Sequence, residues 1–585
     1  MLQPFILLDD AAHGRIQAFS RPKGIIRADA PEDVAAALTA LALAQQMGLY
    51  AVGYISYEAG YALEPKLSPL MPPHRKVPLL WFGIFDEPER IDPAKLEDAF
   101  DGWGCGRAYA GALHYEWSAA AYRERFDRIK ELIAAGDFYE ANLSFRAAFS
   151  FVGDPLTLYR SLRRLSAAPY GAFIDDGERR ILSLSPELFF EISQGMIIAR
   201  PMKGTAARRA GREADEKARA ALAASAKDRA ENLMIVDLLR NDIGRIAQVG
   251  SVAASDLFSV ETYPTVHQMV STVSGQLLSG VSFKDVVRAL FPCGSVTGAP
   301  KIRAMETLCA VEEHPRGIYC GAVGLLKPDG SARFSVAIWT VTIAGNRGLL
   351  GIGGAVVQDS TAEGEYAECL VKARYMATAR LPLELIETLR FSPGKGFVRG
   401  DLHLARMQRS AAFFAISFDE AAARAAMAKA VAGTDGDLRV RLTLDETGRF
   451  FCLAWPAPPP VKVWTYAVSP RRISSRDVFA PHKTNQREFY EKEYVRIAKL
   501  AGCDEVVFLN EKGEVAEGSR STVFAARDGK LLTPPLESGV LDGCLRRELI
   551  ETGKAAEAVL RPEALSGEVY LGNSLRGLIP AVPIA

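Results

Sequence analysis

From residue 1 to about 380, apolar runs of strand length alternate with stretches whose apolar residues recur every three or four positions. Segments 51–57, 79–85, 181–192, 196–200 and 333–343 predict strands, and 119–135, 213–226, 230–239, 283–290 and 362–378 predict amphipathic helices. The uncharged run 34–56 is alanine-rich and broken by Gln45, Gln46 and Gly48. It reads as a helix starting near Pro31-Glu32-Asp33 followed by a strand over 50–55, not as a membrane span. Pro382 and Pro393-Gly394 punctuate 381–396, which predicts a junction. A second unit of helices and strands follows. Within it, the proline-rich run 456–460 either separates two subdomains or is a plain surface loop. The fold class is therefore α+β or α/β, with units at 1–385 and 386–585.

Composition narrows the function. A chain of 585 residues exceeds one hydrophobic core. Lys and Arg together number 70, as do Asp and Glu, so nothing marks a nucleic-acid or membrane-surface partner. The 8 cysteines include no CxxC pair, which disfavours a disulfide framework and a cysteine zinc site. A reducing compartment fits, and with no secretion-type leader a cytoplasmic location is expected.

Several residues of the first unit carry candidate chemistry. Segment 181–205 reads as a hairpin; with a three-residue turn at Ser193-Gln194-Gly195, Glu187 opposes Pro201 and lies diagonal to Lys203. A Glu and a Lys presented together serve as acid and nucleophile, and equally as an exposed ion pair. Asp228 and Glu231, and Glu365 and Glu368, lie one helical turn apart, which suits a hard cation such as Mg²⁺ or simply a solvated face. The turn FPCGSVTGAPKIRAM (291–305) offers Ser295, Thr297 and exposed N–H groups to an anion, but lacks the phosphate-loop order.

The motifs PMKGT, DRAENLMIVDLLRND, YPTVHQMVSTV, FPCGSVTGAPKIRAMET, RGIYCGAVG and EYAECLVKAR follow one another across 201–374. Together they resemble the chorismate-utilising enzymes, and the Lys of PMKGT resembles the aminodeoxychorismate synthase branch, where anthranilate synthases carry Ala. The resemblance extends more weakly to GYISYEAGYALEP and GDFYEANLSFR. It implies that Lys203 attacks C2 of chorismate while Glu187 protonates the departing C4 hydroxyl, and that ammonia then enters at C4. It implies Mg²⁺ on Glu231, Glu365 and Glu368, and a substrate pocket lined by Ser295, Thr297, Gly298 and Tyr319. Three positions depart from the pattern: Trp339 replaces an Arg that binds a carboxylate, Ala355 replaces a Gly, and Gln268 stands where a His is usual, with His267 beside it.

In the second unit, RGDLHLARMQRSAAFF, HKTNQREFYEKEY, DEVVFLNEKGEVAEGSRSTVFAA, TPPLESGVLDGCLRREL and NSLRG resemble the fold-type IV enzymes that use pyridoxal phosphate (PLP). The match covers about 397–580 and points to the aminodeoxychorismate lyases and their transaminase relatives. It implies Lys483 as the lysine that bonds PLP and moves protons, Glu517 on the pyridine nitrogen, and Arg406 with the 539–546 turn on the phosphate. Ser521-Thr522 stands where Ser-Asn is common. Lyase and transaminase share these residues; the neighbouring unit favours the lyase, which consumes its product. The expectation is a large chorismate-binding α/β sandwich followed by a two-subdomain PLP unit, converting chorismate and ammonia to p-aminobenzoate and pyruvate. No G-x-C-x-G site is present, so ammonia comes from ammonium or a separate glutamine amidotransferase subunit. Type IV enzymes are commonly dimers, which implies a homodimer through the PLP unit. Two rivals stay open: a transaminase in the second unit, and a first unit that only binds or scaffolds.

Overall fold

The structure, a computed structural model, describes residues 4–10, 14–103, 106–166, 168–263, 266–379 and 382–584. Pro264 and Thr265 of the YPTVHQMVSTV motif and Leu381 of the junction segment lie outside them. The chain divides into two compact units. One comprises Met1–Cys105, Ala112–Phe151 and Pro155–Arg380; the other comprises Gly106–Gly111, Val152–Asp154 and Leu381–Ala585. Among the described residues, no helix is long and apolar enough to cross a membrane.

The first unit is a sandwich of two antiparallel sheets. Ile6, Phe19, Ile174 and Ile181 of one sheet meet Tyr54, Trp81, Phe85 and Val323 of the other in a dry layer. Helices Asp33–Gln46, Ala226–Gly244 and Phe283–Leu290 cover the outer face of the second sheet through Leu38, Ile235, Leu239 and Val287.

Two segments read as single strands are each split between the sheets. Segment 181–192 breaks at Pro186-Glu187, so Arg180–Ser185 joins one sheet and Leu188–Ser193 the other. Proline has no N–H for a ladder, and the chain changes sheet there. Segment 333–343 likewise breaks into Ala332–Val336 and Thr340–Ala344, with Trp339 at a left-handed φ of 51°. The two crossings are bonded: Val336 N–H donates to the Glu187 carbonyl at 3.1 Å, and Leu184 N–H to the Trp339 carbonyl at 3.1 Å.

The hairpin turn also differs from expectation. Ser193 pairs directly with Met196, leaving a two-residue turn. Gln194 and Gly195 both take left-handed φ, 50° and 75°, the twist-matched geometry for such turns. After Pro201 the chain leaves the Leu188–Ser193 strand and continues along Val266–Gln276 as Met202–Ala207. Lys203 is thus not a cross-strand diagonal of Glu187.

The second unit holds two sheets. Gly396–Phe397, Glu384–Ser392, Leu438–Asp445 and Phe450–Pro456 form an antiparallel four-stranded sheet. Helices Gly400–Phe413 and Glu420–Val431 pack on its apolar face through Leu404, Met407, Ala423 and Met427. An eight-stranded mixed sheet begins at Trp464–Ile473, so the proline-rich run 456–460 lies between the two sheets. The segment read as a junction is mostly strand, Glu384–Ser392. Its prolines flank that strand, and the long stretch of the second unit begins at Leu381, where the segment starts.

Candidate functional sites in the two units

In the first unit, the crossing at Pro186 buries Glu187. Its Oε1 accepts the Ser295 hydroxyl at 2.6 Å. Burial pushes this carboxyl up to about 7, although Ser295, the Lys203 charge and the Met202 N–H pull the other way. A carboxyl poised there is a proton donor at neutral pH.

Lys203 is buried, and its Nζ is paired with the Glu140 carboxylate. Burial lowers its pKa, but Glu140, Glu231 and Glu187 together raise it above the ordinary lysine value. Glu140 opens the long strand Glu140–Gly153; it is fully buried, and its second oxygen, Oε2, has no hydrogen-bond partner. The 291–305 turn arrives beside it through Gly298–Ala299, which pairs with Ala141 and Glu140. A Cβ on Gly298 would stand 2.2 Å from the Glu140 carbonyl, and its φ is 140°, so only glycine fits. Ser295 faces Glu187, whereas the Thr297 hydroxyl turns to the Cys293 carbonyl at 2.8 Å. The Tyr319 ring covers Gly351, where a Cβ would lie 2.1 Å away.

Glu231 on Ala226–Gly244 and Glu365 and Glu368 on Ala362–Ala379 all feel the charge of Lys227. Two helices therefore bring the three carboxylates to one place. Glu365 accepts the Ser360 hydroxyl at 2.7 Å, and Glu368 pairs with Lys372 at 2.9 Å. Burial raises Glu231 and Glu365, while for Glu368 the lysines outweigh burial and lower it. Among the described residues, triads with ligand spacing occur instead at Glu387, His403 and Cys544 and at Glu116, Glu313 and His314. Lys227 and Lys372 stand among these acidic groups, paired with Glu231 at 3.7 Å and Glu368 at 2.9 Å. All-oxygen donors, two of them raised by uncompensated burial, fit a hard divalent cation.

The departures have definite places. Trp339 stacks on Tyr375 at 5.9 Å and 25°. Gln268 accepts the Thr205 hydroxyl at 3.0 Å, whereas His267, on the opposite face of the strand, meets Asp215 and Thr262.

In the second unit, a cavity of about 650 Å³ is lined by Arg406, Lys483, Glu517 and Thr522 among others. Burial lowers the Lys483 amine to about 7; Glu387 opposes this, and the Arg406 and Arg487 charges assist it. Glu517 accepts the Leu541 N–H at 2.8 Å and is raised by burial, against the pull of Arg487 and Tyr490. One N–H of the 539–546 turn is therefore committed to Glu517 rather than to an anion. Arg406 is held from behind: Nε donates to Glu387 at 2.9 Å and Nη1 to the Asp542 carbonyl at 2.9 Å. Glu387 also takes His403 Nδ1 at 2.5 Å, and His403 Nε2 meets Ser574 at 2.7 Å. Burial would raise Glu387, but Arg406 and His403 bring it down to about 2. An ionised Glu387 only accepts, so Nδ1 carries the His403 proton.

Residues 106–378 match the family of chorismate binding enzymes, and residues 384–584 match the class IV amino-transferases. The chain joins a chorismate-binding domain to a class IV amino-transferase domain. It is 46% identical over 263 residues to an aminodeoxychorismate synthase of Streptomyces pristinaespiralis, covering 45% of this chain and 37% of that protein. It is 45% identical over 255 residues to aminodeoxychorismate synthase component 1 of Klebsiella aerogenes, covering 44% of this chain and 56% of that protein. The matches thus span less than two thirds of these curated relatives. The crystal structure of anthranilate synthase component I from Streptococcus pneumoniae aligns with a TM-score of 0.52 at 25% identity, over 64% of this chain and 89% of that one.

A class IV domain implies PLP, and the donors of the class IV cavity fit it. A buried amine near 7, a buried carboxyl and a buried arginine, all lining the same cavity, supply the three anchors. Sequence reasoning missed Glu140, Glu387 and His403. Glu387 was signalled: it alternates with the core residues Leu385 and Leu389, and an acid on an apolar strand face needs a partner. Glu140 is signalled likewise, as the one acid within the strand FYEANLSF.

Proposed function

We propose that the chain makes p-aminobenzoate from chorismate in two steps. The carrying observation is Glu187, a buried acid with a pKa near 7, placed beside Lys203 and fixed by Ser295. In the chorismate-binding unit, Lys203 passes a proton to Glu140 and its amine forms a bond to C2 of chorismate. The ring double bond shifts, the C4–O bond breaks, and Glu187 gives its proton to the departing hydroxyl, which leaves as water. Ammonia then bonds to C4, the C2–N bond breaks, and Lys203 recovers its proton. Glu231, Glu365 and Glu368 are the residues that would hold Mg²⁺, which would neutralise a substrate carboxylate there. Ammonia comes from ammonium or from a separate glutamine amidotransferase, as the name "component 1" of the Klebsiella relative suggests.

In the class IV unit, PLP supplies an electron sink when bound. Lys483 would anchor it and move the proton that precedes loss of pyruvate, Glu517 would pair with its ring nitrogen, and Arg406 with the 539–546 turn would hold its phosphate. A second reading, a first unit that binds but does not aminate, rests on Trp339 standing where a carboxylate-binding arginine is expected.

The test incubates PLP-loaded protein with chorismate, Mg²⁺ and ammonium, with Lys203→Ala and Lys483→Ala in parallel. Equimolar p-aminobenzoate and pyruvate, lost in both variants, is the expected result. Turnover of supplied aminodeoxychorismate but not of chorismate would favour the second reading. Amino transfer between amino acid and keto acid, with no pyruvate from aminodeoxychorismate, would replace the lyase by a transaminase.

A further inference from the structure

Arg316 of RGIYCGAVG and Tyr57-Glu58 of GYISYEAGYALEP meet inside the first unit. Arg316 is buried, and its guanidinium lies over the Tyr57 ring at 4.4 Å. The Glu58 carboxyl accepts its backbone N–H at 2.7 Å and that of Gly317 at 3.0 Å. The guanidinium divides its donors three ways. Nε and Nη2 reach Glu312 at 2.8 and 2.6 Å, Nη1 donates to the Val296 carbonyl at 2.8 Å, and Nη2 donates to the Asn142 carbonyl at 2.6 Å.

Those two carbonyls belong to the segments that carry the proposed chemistry. Val296 follows Ser295, the partner of Glu187, and Asn142 lies two residues past Glu140, the partner of Lys203. The segments form a short antiparallel ladder, in which Tyr139 N–H donates to the Ala299 carbonyl at 2.8 Å and Asn142 N–H to the Thr297 carbonyl at 3.0 Å. The bond that would return from Thr297 to Asn142 is absent, because the Thr297 N–H turns to the Gly294 carbonyl at 3.1 Å. A buried carbonyl needs a donor, and Arg316 supplies it. Glu312 balances the charge and accepts the Ser144 N–H and hydroxyl, each at 2.9 Å, on the same strand. A lysine could neutralise Glu312, but a planar fork is needed to hold carbonyls of two segments at once.

We propose that Arg316 is a positioning residue for chorismate amination: its fork clamps the Ser295 turn to the Glu140 strand and so fixes Glu187 and Lys203 relative to each other. It acts through Ser295 and Glu140 rather than on chorismate. This role goes beyond the proposed function and rests on its reading of Glu187 and Lys203 as the acid and the amine.

The test compares full-length Arg316→Lys, which keeps the charge opposite Glu312, with the unsubstituted protein. Chorismate binding, read by calorimetry with Mg²⁺ present, should keep the unsubstituted stoichiometry and weaken by less than about threefold. Amination at saturating chorismate and ammonium should fall by about 100-fold, as it does when a reacting group is misplaced. Acylation of Lys203 at pH 8, read by mass spectrometry of its peptide, should quicken by about threefold or more as Glu140 draws away. Unchanged amination and acylation in a variant that binds chorismate fully would overturn the proposal. So would losses of rate and stoichiometry in equal proportion, which mark a merely structural arginine. Should Arg316→Lys not unfold cooperatively, Glu58→Gln, which leaves the guanidinium in place and loosens the N–H groups behind it, must show the same paired changes in smaller measure. The absence of both would overturn the proposal. The underlying reading fails separately: Lys203→Ala that aminates chorismate at the unsubstituted rate would remove Lys203 as the amine, while acylation of Lys203 in Arg316→Lys would still report the clamp.

Discussion

Lys203 and Lys483 are both buried amines in sites read as reactive, and their surroundings drive them apart. Burial works downward on both. At Lys203 it is overcome by Glu140, Glu231 and Glu187, so the group rests as an ammonium bonded to its own proton acceptor. At Lys483 the Arg406 and Arg487 charges reinforce burial, Glu387 and more weakly Cys544 oppose them, and the amine falls to about 7. The lesson is that burial alone does not make a lysine nucleophilic; the sign of the charge packed around it decides.

The comparison breaks most sharply if each lysine is removed. Lys203→Ala should abolish chorismate amination and Lys483→Ala should abolish pyruvate release, each by about 10³-fold or more, measured by separate product assays. Glu187→Gln should slow amination by about 100-fold. Because Glu187 is raised to about 7 and acts protonated, the unsubstituted rate, at constant free ammonia, should hold below that pH and decline above it. The Gln variant should lose that alkaline limb. A third expectation concerns stability. Glu387→Gln leaves Arg406 buried without its countercharge and should cost the class IV unit about 3–5 kcal/mol, read by urea unfolding.

Two smaller effects sharpen the contrast. PLP should attach to cofactor-free protein at a rate that rises with pH and levels off above about 7, because the neutral amine of Lys483 is the reactive form. A plateau reached only near the ordinary lysine pKa would show that the guanidiniums do not act as described. Glu140→Gln should make Lys203 resemble Lys483: losing its carboxylate lowers its pKa by about one unit or more, so acylation at pH 8 should quicken about tenfold. Unchanged acylation would mean that Glu140 is not the group holding the proton.

Much of the fold was legible in the sequence because its elements follow periodicity. The helix predicted over 283–290 occupies Phe283–Leu290, and the uncharged run 34–56 is the helix Asp33–Gln46 followed by the strand Tyr50–Ile55. The breaks at Pro186 and Trp339 were not legible as changes of sheet, because an apolar run keeps the same pattern on either side of a crossing. The hairpin register was missed for a related reason. A turn of two or three residues leaves the alternation intact locally, and only the left-handed φ of Gln194 decides between them.

Residue type and order by themselves determined which motifs are present, that Lys483 precedes a helix, and that acidic pairs lie one turn apart on two helices. What only the tertiary structure decided is who faces whom. It set Glu140 against Lys203 and Ser295 against Glu187, and it withdrew the Leu541 N–H to Glu517. It also set Arg406 against Glu387, from a strand nineteen residues earlier in the chain. The physical reason is that a side chain's protonation and partners depend on charges and solvent within a few ångströms, and those neighbours come from segments tens to hundreds of residues apart.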